Sequence, residues 1–393
     1  MPRYEYALIN KDTLRFIRDT KQVSFNYVER VAKFKEDKVS AWEDPSSDKF
    51  PTINQAKTLA KCYRVPFAGF YMDSSDINVN HLPRIYNRRT MLYAFSDDSA
   101  VNLALLDLLN DREFYIETKK ALKESIPEFN FQIPKNTATE WGREIRTFFG
   151  IDLSEQYRTK SKRQFYLYVR SKVEQKGLFI QGFTGVDISV LRGVAIYDES
   201  MPIIGINDDD RYPAKTFSII HELVHIIKRT SSVCNDMFGS NPGDAEETFC
   251  NAVAGETLVP RVALISVLKN YEKPLSLDDV DSIAAKFSVS SEVIARRLLD
   301  VGICGKTWYR QITEALENRV QRDKEEQRIA RQMGGAGIPR NMPREAIDRT
   351  STAMCTVLLH GYSEGYFDKA DISAHIGIGV KHIDKFVREV LVL

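Results

Sequence analysis

A His-Glu-x-x-His motif at residues 221–225 is the part of this 393-residue sequence whose spacing most clearly predicts chemistry. On an α-helix, residues four apart lie on one face, so His221 and His225 can direct their imidazoles at the same ion. Glu222 is rotated by about 100° from His221, which keeps it out of the coordination shell but close to a metal-bound water. The motif therefore predicts a zinc (Zn2+) site in which Glu222 is the general base of peptide hydrolysis.

A third ligand must come from elsewhere in the chain, because catalytic zinc usually has three protein ligands and one water. Glu247 is the best candidate, since Glu247 and Asn251 are four apart and share a helical face. The carboxylate could bind the metal while the amide supports a histidine. Glu246 and Asp244 are nearby alternatives. Cys234 is a donor by type, although a thiolate would make the site look structural rather than hydrolytic.

A metal site with a structural role, or one that has lost its activity, is the alternative interpretation. Glu222 argues against it, because a structural site has no use for a general base. The sequence does not single out a residue that stabilises the oxyanion. Suitable donors, each more typical of packing or of the surface, are Tyr197, Arg211, Tyr212 and His360.

The residues before the motif must build the support for its helix. Between residues 141 and 207, apolar and β-branched runs separated by Gly and Asp turns predict a small sheet. The runs are Phe165–Val169, Leu178–Ile180, Gly193–Tyr197 and Pro202–Ile206. The last run is predicted to be a buried strand, and the alternative is a sheet edge that pairs with an extended substrate.

The rest of the chain has mainly helical patterns. Residues 11–72 show short helical periods, with Ser24 and Thr52 at positions typical of N-caps. Residues 281–299 have a helix-turn-helix rhythm, for which core packing and DNA contact are equally good interpretations. A charged helix over 313–331 leads into a glycine-rich stretch, Gly334–Pro339, that is typical of a linker or mobile loop. A final helical unit follows.

The motif and its surroundings resemble the ImmA/IrrE family of metallopeptidases over residues 137–262. The segments that carry the resemblance are Thr216–His225, Glu247–Asn251 and Leu258–Pro260, with Asn207 and Arg211 ahead of them. The sequence departs from the family pattern in the order Thr216-Phe217-Ser218 and in Val259, which replaces a Met. The resemblance implies metal ligands at His221, His225 and Glu247, and a catalytic base at Glu222.

The first 75 residues resemble the helix-turn-helix domain of Xre and Cro type repressors, through Val39–Glu43, Pro51-Thr52 and Leu59–Pro66. Such a domain ahead of the peptidase also recurs in the ImmA/IrrE family. The family resemblance implies a zinc endopeptidase that cleaves a partner helix-turn-helix repressor and thereby derepresses stress, prophage or mobile-element genes. The N-terminal domain would then recognise DNA or the substrate.

The competing hypothesis is a DNA-binding regulator or antitoxin-like protein whose zinc site is structural or inactive. It requires that Lys33, Lys35 and Lys38 face phosphates, whereas the simpler interpretation is that these lysines are solvated. The net charge of +1 gives no global case for nucleic acid or membrane partners.

Composition and length predict a soluble multidomain protein of the α+β class, with 43% hydrophobic and 28% charged residues. Five cysteines without a CxxC pair, and no apolar signal segment, indicate a cytoplasmic protein. We predict a helix-turn-helix bundle at 1–75 and connecting and packing helices at 76–136. A zincin-like peptidase domain follows at 137–262, then helix-turn-helix-like helices at 263–333 and a C-terminal helical unit at 334–393.

Overall fold

The computed structural model of the protein describes residues 5–83, 97–131, 137–234, 245–332 and 340–392. The N-terminal part is a bundle of short helices, followed by a 3-10 helix at Phe67–Tyr71. The α-helices are α1 (Lys11–Lys21), α2 (Phe25–Ala32), α3 (Lys38–Glu43) and α4 (Ile53–Tyr63). The Ser24 hydroxyl caps α2, and Thr52 forms a capping box with Gln55 at the start of α4, so both predicted N-caps are confirmed.

The central part joins a small sheet to long buried helices. Its helices before the sheet are α5 (Ser99–Ala121), α6 (Ala138–Phe149), α7 (Leu153–Arg158) and α8 (Lys162–Glu174). The chain then continues, in order, through β1 (Phe179–Phe183), β2 (Gly193–Ile196), β3 (Ile203–Asn207), α9 (Tyr212–Ile227), β4 (Ser232–Cys234) and α10 (Ala245–Leu258). The fold is therefore of the α+β class, as predicted.

One predicted strand is wrong. Residues Phe165–Val169 lie inside α8, which begins after the N-cap Ser161. The buried residues of this helix are Phe165, Tyr166, Val169, Arg170, Val173 and Glu174. Their spacing is that of one helical face, and this longer period outweighs the short β-branched run.

The sheet has the strand order β1-β3-β2-β4, with β1 and β3 parallel and the other pairs antiparallel. Every residue of β3 is buried, and β3 lies between two other strands. The prediction of a buried strand at 202–206 is therefore confirmed, and the alternative of a sheet edge is wrong. The outermost strand next to β2 is β4, which follows α9 in the chain.

Both faces of the sheet are covered by helices. Ala195, Ile204 and Ile206 belong to the core shared with α8, α9 and α10, while Val194 and Ile203 belong to the core of the opposite face. This alternation follows from the period of two in a strand. The strands therefore form the middle layer of a structure with three layers.

The region after residue 260 is helical, as predicted. Its helices are α11 (Arg261–Leu268), α12 (Leu277–Phe287), α13 (Ser291–Asp300), α14 (Lys306–Gln332), α15 (Met342–Arg349), α16 (Thr352–Ser363), α17 (Lys369–Ile376) and α18 (Ile383–Val390). Residues buried in α11–α13 extend the core around α9, and those of α15–α18 join α5 on the other face of the sheet. The predicted linker at Gly334–Pro339 lies outside the described residues.

Within the described residues, no single helix is both long and apolar enough to cross a membrane. Helices α10 and α11 reach that length and hydropathy only when they are counted together, across a bend of 56°.

Candidate metal centre

Helix α9 is the central helix of the part of the chain that surrounds the sheet. Arg211 occupies its N-cap position, and a proline in the first turn suits the start of a helix because that turn needs no N–H donor. Every residue from Lys215 to Ile227 is buried. A helix that is buried on all sides lies in the protein interior, and α9 contacts β2, β3, α8 and α10.

The structure brings together His221, His225 and Glu247. The Nε2 atom of His221 lies 3.1 Å from Oε2 of Glu247, and Nε2 of His225 lies 3.3 Å from Oε1 of the same carboxylate. One ligand atom from each residue can be chosen so that all three lie within 4.8 Å of one another. Two imidazoles and one carboxylate are a donor set that fits a catalytic metal with one position left for water.

The charges of the three residues are strongly coupled. Burial raises the pKa of Glu247, but hydrogen bonds with both histidines outweigh burial and hold that pKa well below its usual range. Burial lowers the pKa of His225, but contacts with Cys250 and Glu247 raise it to about 10. The pocket therefore stabilises positive charge beside a carboxylate, which is the electrostatic condition that a divalent cation requires.

Asn251 supports the cluster as the helical spacing predicts. Its Oδ1 atom lies 2.9 Å from Nδ1 of His221, so it can accept a hydrogen bond from that nitrogen and leave Nε2 to the metal. The corresponding partner of His225 is more distant, because Oγ1 of Thr230 lies 3.4 Å from Nδ1.

The alternative third ligands do not join this cluster in the described part of the chain. The carboxylate of Glu246 forms an ion pair of 2.6 Å with Lys228 and lies 3.9 Å from Nδ1 of His225, on the side of the ring away from Glu247. Asp244 and the side chain of Cys234 lie outside the described residues. Glu247 is thus the carboxylate that the fold places between the two histidines.

Glu222 lies beside the cluster without belonging to it. Its side chain is fully buried, and its Oε2 atom accepts a hydrogen bond of 3.2 Å from Ser232. Its Oε1 atom has no hydrogen-bond partner among the described residues. Burial is the main reason that the pKa of Glu222 rises to about 6, which suits a group that gains and loses a proton near neutral pH.

Strand β2 also contacts Glu222. A Cβ atom added to Gly193 would lie 2.7 Å from Oε1 of Glu222. Gly193 and Ser232 could not be selected from the sequence, because both reach Glu222 only through the antiparallel register of β2 and β4. Gly193 begins β2 and Ser232 begins β4, and neither residue belongs to a motif.

Two of the four candidate oxyanion donors are engaged elsewhere. Tyr212 donates a hydrogen bond of 2.6 Å to Asp348, and it lies about 13 Å from His221 along the axis of α9. His360 forms an ion pair with Glu124. Arg211 is exposed and Tyr197 packs against the core around α9. The stabilising group for the oxyanion is therefore not assigned.

Residues 187–299 match the family model of the IrrE N-terminal-like domain, in peptidase family M78. Over these residues the chain is similar to an IrrE N-terminal-like domain. The match contains the three clustered residues and Glu222, and it extends past residue 262 to residue 299, within α13. The matched segment therefore includes α11 and α12, whose buried residues complete the core around α9. No curated protein matches the chain significantly.

The end of α10 is held by side chains of two helices that precede the sheet, α6 and α7. Gln156 donates hydrogen bonds of 2.9 Å and 2.8 Å to the carbonyls of Leu258 and Phe287, and Arg146 donates one of 2.7 Å to the carbonyl of Thr257. Orphan carbonyls at a helix C-terminus need such partners. These contacts hold α10, and with it Glu247, against α6 and α7.

Proposed function

We propose that the chain is a zinc-dependent endopeptidase whose ligands are His221, His225 and Glu247 and whose general base is Glu222. The observation that carries this proposal is a buried carboxylate, Glu222, next to two imidazoles and a second carboxylate whose ligand atoms lie within 4.8 Å of one another. This donor set suits zinc, which when bound lowers the pKa of a water and polarises a carbonyl. A structural site would not need Glu222.

The proton transfers fall to Glu222. Its Oε1 atom is available, because only Oε2 is held by a protein hydrogen bond within the described residues. A carboxylate with a pKa near 6 can accept a proton from the attacking water and then donate it to the leaving amine. Burial thus brings the pKa of Glu222 to a value that suits both proton transfers.

The substrate backbone has a natural position next to this base. Strand β4 pairs with β2 along one edge, and no strand of the described residues pairs with its other edge. Because Ser232 of β4 contacts Glu222, an extended peptide added to the open edge of β4 would pass close to the cluster. The edge that we propose for substrate pairing is therefore β4 rather than β3.

The substrate that we propose is a helix-turn-helix repressor, whose cleavage would derepress stress, prophage or mobile-element genes. Support comes from the family of the IrrE-like domain and from the N-terminal bundle, which resembles such repressors. In this proposal the bundle recognises protein rather than DNA.

The attachment of the bundle supports a role in protein recognition. In helix-turn-helix proteins the first helix of the motif crosses the DNA backbone, and helix N-termini bind phosphates. Here the N-terminus of α2 is covered by the chain itself. Ser24 donates from its hydroxyl to Asp97 at 2.6 Å and from its backbone to the Ser99 hydroxyl at 2.8 Å. The carboxylate of Asp97 thus lies where a phosphate would bind.

The enzymatic proposal is tested with the full chain and with Glu222→Gln. Each protein is loaded with zinc, its metal content is measured by mass spectrometry, and it is incubated with the repressor encoded next to its gene. We expect equal metal content and cleavage by the wild type alone. Equal cleavage by both proteins would exclude Glu222 as the base, and zinc binding without cleavage by either would favour the structural alternative.

DNA binding by the full chain separates the two roles of the bundle. We expect no binding to the operator of that repressor at low salt, as measured by fluorescence anisotropy. Binding that weakens steeply as salt increases would show phosphate contacts and would restore the DNA-binding alternative.

A further inference from the structure

We propose that strands β2 and β4 position the Glu222 carboxylate, through the hydroxyl of Ser232 and the missing side chain of Gly193. Neither residue touches the metal ligands in this role; both act through Glu222. The inference rests on the proposed function of Glu222 as general base.

Ser232 holds one carboxylate oxygen. It is buried, with 2% of its surface exposed, and its hydroxyl donates to Oε2 of Glu222 at 3.2 Å. The register that pairs Ser232 with Ala195 fixes its position along β2. A buried carboxylate needs hydrogen-bond partners, and this contact supplies one to Oε2.

Gly193 leaves space for the other oxygen. An added Cβ would lie 2.7 Å from Oε1 and 3.1 Å from Cγ of Glu222. These distances involve the middle and the end of the side chain, so a methyl group would force the whole carboxylate to move. The backbone of Gly193 is not in the left-handed region, so the close approach explains the glycine better than its conformational freedom.

The two contacts together define one orientation of Glu222. Ser232 anchors Oε2, and the gap at Gly193 receives Oε1, which keeps no protein partner within the described residues. Proton transfer requires a base within hydrogen-bond distance of its water, and a displacement of about 1 Å can reduce a rate by about 100-fold. The strand pair therefore determines the efficiency of the base.

A matched pair of serine variants tests the first contact. Ser231 is the neighbour of Ser232 and is also buried, but its hydroxyl accepts a hydrogen bond from the backbone of Tyr197 instead. In zinc-loaded protein with the neighbouring repressor as substrate, we expect Ser232→Ala to lower kcat by about tenfold with KM unchanged. Ser231→Ala should change kcat less than about twofold, and Ser232→Thr should recover most of the loss because it keeps the hydroxyl. Equal losses in the two alanine variants would overturn the proposal.

A matched pair of glycine variants tests the second contact. An added Cβ at Gly205 would meet Leu108 and Val194, so Gly205→Ala crowds the same sheet without reaching Glu222. We expect both alanine variants to lose thermal stability, but only Gly193→Ala to lose kcat, by about 100-fold. The visible spectrum of the cobalt-substituted protein should stay unchanged in both, because the ligands are untouched. A changed cobalt spectrum in Gly193→Ala alone would show that the residue acts on the metal shell, which contradicts the proposal.

A double-mutant cycle on unfolding tests the contact without any substrate. The free energies of unfolding of metal-free wild type, Ser232→Ala, Glu222→Ala and the double variant give the coupling between the two side chains. We expect Ser232→Ala to destabilise the wild type and to have no further effect once Glu222 is removed. Additive effects would overturn the proposal, even if Glu222→Gln abolishes cleavage. Strong coupling with a fully active Glu222→Gln would leave the contact intact and reject the base assignment.

Discussion

Polar side chains are buried at both ends of α9, but their hydrogen-bond and ion-pair partners differ. At the N-terminal end, Asp348 receives a hydrogen bond of 2.6 Å from Tyr212 and two from Nε of Arg163, at 2.7 Å and 2.9 Å. At the C-terminal end, two histidines share the Glu247 carboxylate, and one oxygen of the neighbouring Glu222 has no hydrogen-bond partner in the described part of the chain.

The difference separates a structural cluster from a chemical one. Around Asp348 each charge has an opposite charge or a donor, so the cluster can hold α8, α9 and α15 together without any added group. Buried polar groups that lack a partner carry a free-energy cost, and proteins keep them where an ion, a substrate or a proton is to be bound. We therefore call the N-terminal end of α9 its fixed end, and the C-terminal end, where the proposed chemistry lies, its reactive end.

The largest effect should come from the reactive end. Glu247→Gln keeps the size of the side chain but removes the charge that holds both histidines, so metal affinity should fall by about 1000-fold or more. Glu246→Gln, one residue earlier, should change the affinity less than about threefold because Glu246 pairs with Lys228. Competition with a chromophoric zinc chelator measures the zinc affinity of both variants. A similar loss of affinity in the two would show that the assignment of Glu247 as the third ligand is wrong.

A substitution at the fixed end should lower the stability of the protein rather than its affinity for zinc. Asp348→Ala leaves the Arg163 guanidinium and the Tyr212 hydroxyl without their shared partner, and the free energy of unfolding should fall by about 3 kcal/mol. Urea denaturation measures this loss, and zinc stoichiometry at 25 °C should remain unchanged. The exposed pair Arg158–Glu155 is the control, since Arg158→Ala should cost at most about 0.5 kcal/mol. A loss of zinc with Asp348→Ala would mean that the two ends are not independent.

Asn251 should have an intermediate effect at the reactive end. Its hydrogen bond of 2.9 Å orients His221, so Asn251→Ala should weaken zinc binding by about 10- to 100-fold while the ligand set stays complete. Chelator competition measures the affinity, and the spectrum of the cobalt-loaded protein verifies that three protein ligands remain. An unchanged affinity would show that the packing of α9 alone orients the ring.

The smallest effect should come from Thr230. Its hydroxyl lies 3.4 Å from His225, which is too long for a strong hydrogen bond, so Thr230→Val should change zinc affinity less than about threefold. The same chelator assay applies. A loss as large as that of Asn251→Ala would show that both histidines depend equally on an outer partner.

The metal cluster was predictable from the sequence because it depends on local spacing. The four-residue separations of His221 and His225, and of Glu247 and Asn251, define helical faces without any knowledge of the fold. The contact between Asn251 and His221 follows from the same spacing and is confirmed. The roles proposed for the clustered residues stay predictions until metal is measured.

Contacts that depend on distant pairing were not predictable. Ser232 and Gly193 meet Glu222 through strand register, and Asp348 meets Tyr212 across 136 positions of sequence. The predicted strand at Phe165–Val169 is wrong because a short apolar run fits a strand as well as one face of a helix. The domain boundaries and the cytoplasmic location stay predictions.

The position of the sheet between two layers of helices limits how the chain can be divided for expression. Residues 342–390 cover the face of β1, β2 and β3 that lies opposite α9. A fragment ending before residue 340 would expose these apolar side chains to water, which is a typical cause of aggregation. A soluble fragment that contains His221, His225 and Glu247 therefore has to include the C-terminal helices, although they lie outside the matched family segment and far along the chain from the HExxH motif.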